Sequence, residues 1–161
     1  MTSGNELVDS APQSTSNSIV VGHDGSRGAD QALATALELA DQLGAPVVVV
    51  RAWSIVTAPR PANWAFGYVP SADELAEAVR VQLVADTRKH VATFPGVTVE
   101  LRATQDGPAM SLIEASREAR MLVVGSRGLG GLAGLVLGSV SDRCVRHAAC
   151  PVLVTRTNSD T

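Results

Sequence analysis

Hydrophobic and polar positions fall in blocks along this chain, and their period changes from one block to the next. SIVVG at 18–22 is a short β-branched run closed by glycine, which predicts a first strand. Leu33, Ala36, Leu37, Ala40 and Leu43 then recur at helical spacing, with Ser26 placed to cap the helix and Gly44 and Pro46 to end it. PVVVVRAW at 46–53 reads as apolar on both faces and predicts a central, buried strand. Residues 54–70 carry Pro59, Pro61 and Pro70 with Trp64, Phe66 and Tyr68, a long loop of the kind that tends to be functional or mobile. Ser71 and Glu74 form a capping box ahead of a second helix that puts Leu75, Ala78, Val79 and Leu83 on one face.

VTVELR at 97–102 alternates strictly, so one face meets water and an edge strand is expected. Gly107-Pro108 opens a third helix with Met110, Leu112, Ile113 and Ala115 as its apolar positions. MLVVG at 121–125 predicts a buried fourth strand, a helix follows from about Ser139 to Ala148, and PVLVT at 151–155 predicts a fifth strand with Pro151 first. Strands alternating with helices imply an α/β fold, an open five-stranded parallel sheet with helices on both faces. With strand three at an edge and strands one, two and four inside, the order is 3-2-1-4-5. Strand five is then also an edge, yet Val152, Leu153 and Val154 are continuously apolar. A bare apolar edge is a liability, and pairing with the same strand of a second copy would cover it, so a homodimer is expected.

Composition narrows the function. The chain has 161 residues, enough for one domain with its own core, and aromatics are only 3%, so that core is aliphatic. A net charge of −3 without any basic run argues against nucleic-acid binding. Residues 1–17 are polar and expected to be a disordered tail, 18–156 form the domain, and 157–161 are a short C-terminal tail. No basic segment followed by an apolar one opens the chain, so a cytoplasmic location is expected. From Gly128 to Val140 the chain carries no charge, but this run falls short of the roughly 20 residues that span a bilayer, and no membrane partner is expected. Cys144 and Cys150 fit no zinc spacing and are expected to be small buried side chains.

In open α/β sheets ligands bind beyond the carboxyl ends of strands where the connections diverge. Here that point lies between strands one and four, which end in Gly22-His23-Asp24-Gly25-Ser26 and Gly125-Ser126-Arg127-Gly128. No GxxxxGK[ST] occurs, and a dinucleotide fingerprint forced onto Gly128-x-Gly130-x-x-Ala133 follows the wrong strand. The spacing present is Gly125-x2-Gly128-x9-Gly138-Ser139. It resembles the nucleotide-binding signature of the universal stress protein family, and the resemblance runs from Ser18 to Arg156. It includes the VVGHDGS turn and the closing GSVSDRCVRHAACPVLVTR; the chain departs at Arg120-Met121, where the family often carries an aspartate before strand four.

The resemblance implies a homodimeric, flavodoxin-like domain of the ATP-binding subfamily. Asp24 would meet ribose, base or a phosphate-bound Mg2+; a plain turn or capping aspartate is the alternative. Ala52 would offer its backbone to adenine, and Val124, Arg127 and Val140 would flank the glycine loop, Arg127 being otherwise a solvated loop residue. Gly22 and His23 belong to the turn after strand one, His23 as a turn histidine. Physically, Gly125 and Gly128 lack Cβ atoms and admit ribose and phosphate to the backbone. Gly138 and Ser139 start the last helix, whose open N–H groups favour anions, and Ser139 and Ser141 can add hydroxyl donors. A nucleotide-binding stress or signalling module with little turnover is the first expectation. A slow ATPase or phosphotransferase, or a cyclic-AMP binder, is the alternative, and a nucleotide-free scaffold fits the intact glycines poorly.

Overall fold

The computed structural model describes residues 16–127 and 137–157. Among these residues five strands alternate with four helices: β1 (Ile19–Gly22), α1 (Arg27–Leu43), β2 (Val47–Trp53), α2 (Ala72–Thr93), β3 (Val99–Gln105), α3 (Pro108–Ala115), β4 (Met121–Gly125), α4 (Ser139–His147) and β5 (Val152–Thr155). The strands form one sheet in the order β3-β2-β1-β4-β5, every pairing parallel. That is the order the patterning predicts.

Strand side chains alternate between faces, and two cores follow. Ile19, Val21, Val47, Val49, Val99 and Val123 pack with Ala32, Leu33, Ala36 and Leu37 of α1 and Leu83 of α2. Val20, Val48, Val50, Leu122 and Val124 pack on the other face with Leu112 of α3 and Cys144 of α4. A smaller cluster of Trp53, Leu75 and Val79 ties the end of β2 to α2. The boundaries obey the expected stop signals. Ser26 Oγ accepts from Ala29 N, and Gly44 closes α1 in the left-handed region at φ 64°. At α2, Ser71 and Glu74 form a complete capping box. No helix among the described residues is long and apolar enough to cross a membrane.

Several details differ from the patterning. β3 begins at Val99 and runs to Gln105, because β2 offers it partners as far as Trp53; Val97 is buried ahead of the strand. Leu43 is 43% exposed, since the core-facing stripe of α1 ends at Ala40. In α3 the buried positions are Ala109, Ser111 and Leu112, while Met110 points outward. Cys144 is fully buried, Cys150 only partly. β5 is apolar on both sides for a reason internal to the chain: Leu153 packs against the α1 side, and Val152 and Val154 against the α3/α4 side. Its hydrophobicity therefore does not by itself require a second copy. The proposed tails lie almost wholly outside the described residues; Ser16 and Asn17 form a turn leading into β1.

Candidate functional site

Connections leave β1 and β4 toward opposite faces of the sheet, and a cleft of about 1210 Å³ opens above their carboxyl ends. Gly22, His23 and Asp24 line it from the β1–α1 turn, Ala52 from β2, and Val124, Gly125 and Arg127 from the end of β4. Gly138, Ser139, Val140 and Ser141 line it from the start of α4. The sequence-named residues are thus brought together around one cleft, except Gly128, which lies outside the described residues together with the apolar stretch up to Val136.

The start of α4 has the form that favours an anion. Gly138 is its N-cap and no side chain caps it, so the first-turn N–H groups have no side-chain acceptor from the helix itself. Gly138 N donates to the Ser126 carbonyl at 2.6 Å, which fixes the helix against the β4 turn. Ser141 Oγ lies 3.1 Å from the carbonyl oxygens of both Ser126 and Gly138 and gives them its one proton. Ser141 is buried and braces the loop. Ser139 is exposed, with its hydroxyl free of that bracing role.

The glycines divide their work. A Cβ on Gly125 would stand 3.0 Å from the carbonyl oxygen of Gly28, and one on Gly138 3.3 Å from that of Ser126. Gly125 is therefore also needed for the chain's own close packing, while it lines the cleft. A Cβ on Gly22 would meet the Leu112 side chain at 2.8 Å, so that glycine seats α3 beneath the cleft.

Asp24 is exposed at the mouth, and its Oδ1 accepts from Ser26 N at 3.0 Å. The turn geometry of the alternative reading is present, and Asp24 also lines the cleft. His23 lies in the same turn, directly after β1. Its side chain is fully buried, with Nε2 3.0 Å from Asp30 Oδ1. Its Nδ1 lies 2.7 Å from Arg51 Nη2 and 3.3 Å from Gly25 N. Burial pushes the His23 pKa below the ordinary imidazole value of 6.5, against the opposing pull of its bond to Asp30.

Sequence reasoning missed Arg51. It sits in a strand read as apolar on both faces, yet its buried guanidinium donates to the His23 carbonyl at 3.0 Å and to Asp86 Oδ2 at 2.8 Å. The available signal was an arginine within a run of valines, which has to find a buried partner. Also missed were Asp86 and Gln82 of α2, and Gln105, Asp106 and Gly107 leading into α3, all of which border the cleft. Residues of the 54–70 loop, Ser54 to Thr57 and Pro59, form another wall. That loop is tied down: Tyr68 Oη donates to Glu74 at 2.8 Å, and the Arg60 guanidinium lies 4.5 Å from the centre of the Trp64 ring.

Comparison with known proteins decides the family. The family model described as the universal stress protein family matches residues 15–156. The chain belongs to the universal stress protein family. A universal stress protein of Mycobacterium tuberculosis (strain ATCC 25618 / H37Rv) is 34% identical over 138 residues, covering 86% of this chain and 44% of the relative. The chain spans about half the length of the curated relatives it matches. Among solved structures of the family, a universal stress protein in complex with cAMP superposes with a TM-score of 0.64 at 23% identity, covering 89% of this chain and 98% of that one. The universal stress protein from Archaeoglobus fulgidus in complex with dAMP gives a TM-score of 0.57 at 24% identity, with coverage of 86% and 96%. At these identities the two superpositions establish the shared flavodoxin-like fold.

Proposed function

We propose that this chain is a nucleotide-binding member of its family that takes an adenine nucleotide, ATP, in the cleft between β1 and β4 and turns it over slowly or not at all. The observation that carries this reading is the junction of β4 and α4. There the glycine-bounded turn from Gly125 leads to a helix start whose N-cap, Gly138, brings no competing side chain. Such a helix start stabilises phosphate without a lysine, which suits a chain of net charge −3. Two relatives of the same fold are complexes with cAMP and dAMP, which supports the adenine nucleotide class.

Roles follow from placement. The backbone at Ala52 and the wall at 54–59 take the base, Asp24 takes the ribose or a phosphate-bound Mg2+, and Ser139 and Arg127 with the α4 start take the phosphates, with Gly128 assigned there from the sequence spacing alone. Mg2+ needs only one or two carboxylates when phosphates supply the rest, and Asp24 at the mouth meets that need. Low turnover is argued from His23: both ring nitrogens are engaged, so the histidine nearest the cleft is not available as a base. Cyclic AMP is the competing ligand, favoured by the cAMP-bound relative.

Mass spectrometry of nucleotide released from the purified protein, with thermal shifts for ATP, ADP, AMP and cyclic AMP, tests the reading. ATP is expected to raise the melting temperature most, because a ligand specific to the native state stabilises it. No shift with any of them, with or without Mg2+, overturns it. A larger shift with cyclic AMP selects the competitor, and phosphate release lost in Asp24→Ala selects the slow ATPase. We also propose a homodimer through the outer edge of β5, at Val152, Leu153 and Val154. β5 pairs only with β4 among the described residues, and its other backbone edge is open to a second copy. A monomer by sedimentation at micromolar concentration contradicts this.

A further inference from the structure

The two peptide groups that flank Asp24 are held by the same buried pair. On one side the His23 carbonyl accepts from Arg51 Nε at 3.0 Å. On the other, Gly25 N donates to His23 Nδ1 at 3.3 Å, the nitrogen that also accepts from Arg51 Nη2 at 2.7 Å. Behind them, His23 N donates to the Val50 carbonyl and continues the sheet, while Arg51 is anchored by Asp86. Gly25 itself is in the left-handed region at φ 88°, so the turn is a specific conformation that these bonds select.

We propose that Arg51 and His23 are positioning residues for nucleotide binding: a buried pair that holds the Asp24–Gly25 turn in place. This rests on the reading of the cleft as a nucleotide site. The chemistry is set by arginine, which has five N–H donors and no acceptor. Because Arg51 Nη2 donates to Nδ1, the ring proton is on Nε2, and Asp30 Oδ1 receives it at 3.0 Å. Nδ1 is then the acceptor that Gly25 N and Arg51 Nη2 share.

The pair is itself anchored from two helices: Asp30 of α1 receives the His23 Nε2 proton, and Asp86 of α2 accepts from Arg51 Nη1. Nucleotide affinity is expected to follow the integrity of this pair.

Calorimetric titration of ATP into wild type, Arg51→Met, His23→Leu and His23→Asn at neutral pH tests this. Arg51→Met and His23→Leu are expected to bind about tenfold more weakly while melting as folded proteins. Asparagine can offer an oxygen near the position of Nδ1, so His23→Asn should recover to within about threefold of wild type, a rescue that depends on the acceptor. Where Arg51→Met does not fold, Arg51→Lys keeps a cation beside Asp86 without the Nε donor and carries the same test. Affinity within about twofold of wild type in the arginine variants, or His23→Asn binding no better than His23→Leu, overturns the proposal. Failure of wild type to bind any adenine nucleotide overturns the site reading instead, and this one with it.

Discussion

Gly28 and Gly125 meet backbone to backbone: a Cβ built on Gly125 would lie 3.0 Å from the Gly28 carbonyl oxygen. The contact is reciprocal in effect, since a Cβ on Gly28 would lie 2.7 Å from the carbonyl oxygen of Arg127. The first turn of α1 is thereby pressed onto the turn after β4, main chain against main chain. Replacing Gly28 by alanine forces rigid backbone to move, with an expected loss of about 1–3 kcal/mol. Urea denaturation measures it, with Gly96→Ala as the control. Nothing lies within 4 Å of a Cβ at Gly96, so that change should stay within about 0.5 kcal/mol.

Ser26 bridges the two roles of the β1–α1 turn. Its Oγ accepts from Ala29 N at 3.1 Å as the cap of α1, while its own N–H holds Asp24. Ser26→Ala should cost about 1 kcal/mol, and Ser26→Asp should recover most of it, because either side-chain oxygen satisfies the exposed N–H. Thermal melts of the two variants distinguish a lost cap from a general disturbance of the turn.

Glu74 makes a pH prediction with a definite sign. The Ser71 backbone N–H, followed by the Tyr68 hydroxyl and Asn63 amide, holds its carboxyl down from 4.5 to about 2. The folded state thus prefers the ionised form. Its contribution is complete above the unfolded value near 4.5 and is lost as pH falls from there through about 2. Melting temperature against pH should therefore decline more shallowly over that window in Glu74→Gln than in wild type. Equal slopes contradict the capping-box geometry.

Cys144 is buried in the α3/α4 core, and burial pushes its thiol up to about 11. The thiolate is the reactive form, so Cys144 should resist alkylation in the native protein at mildly alkaline pH and react on unfolding. Mass spectrometry after a timed iodoacetamide pulse would report this directly. Cys150 is partly exposed and should be labelled first.

Much of this fold was legible because each strand carries its own signal. SIVVG, the valines of β2 and MLVVG are short apolar runs bounded by turn residues, and period arguments place them well. The strand order followed from which runs are buried on both faces. What patterning could not supply were contacts that exist only after the layers dock. Arg51 looks like a flaw in β2 until it is seen to reach His23, 28 positions away, and Asp86, 35 positions away. Gly28 reads as an ordinary helix residue, and its need for hydrogen appears only when the β4 turn lies against it. Gly125 was legible as important, but its backbone contact with Gly28 was not. The cleft was located by topology; its second wall, from Asp86 to Asp106, required the packed structure.

Calorimetric titration of ATP with Mg2+ into the wild-type chain, beside Gly138→Val, tests the central claim most directly. A valine there would press its Cβ toward the Ser126 carbonyl and stand at the mouth of the α4 start. The account predicts saturable binding of one nucleotide per chain to wild type, and its loss in a variant that still melts cooperatively. Absence of binding to wild type, or undiminished binding to folded Gly138→Val, would contradict it.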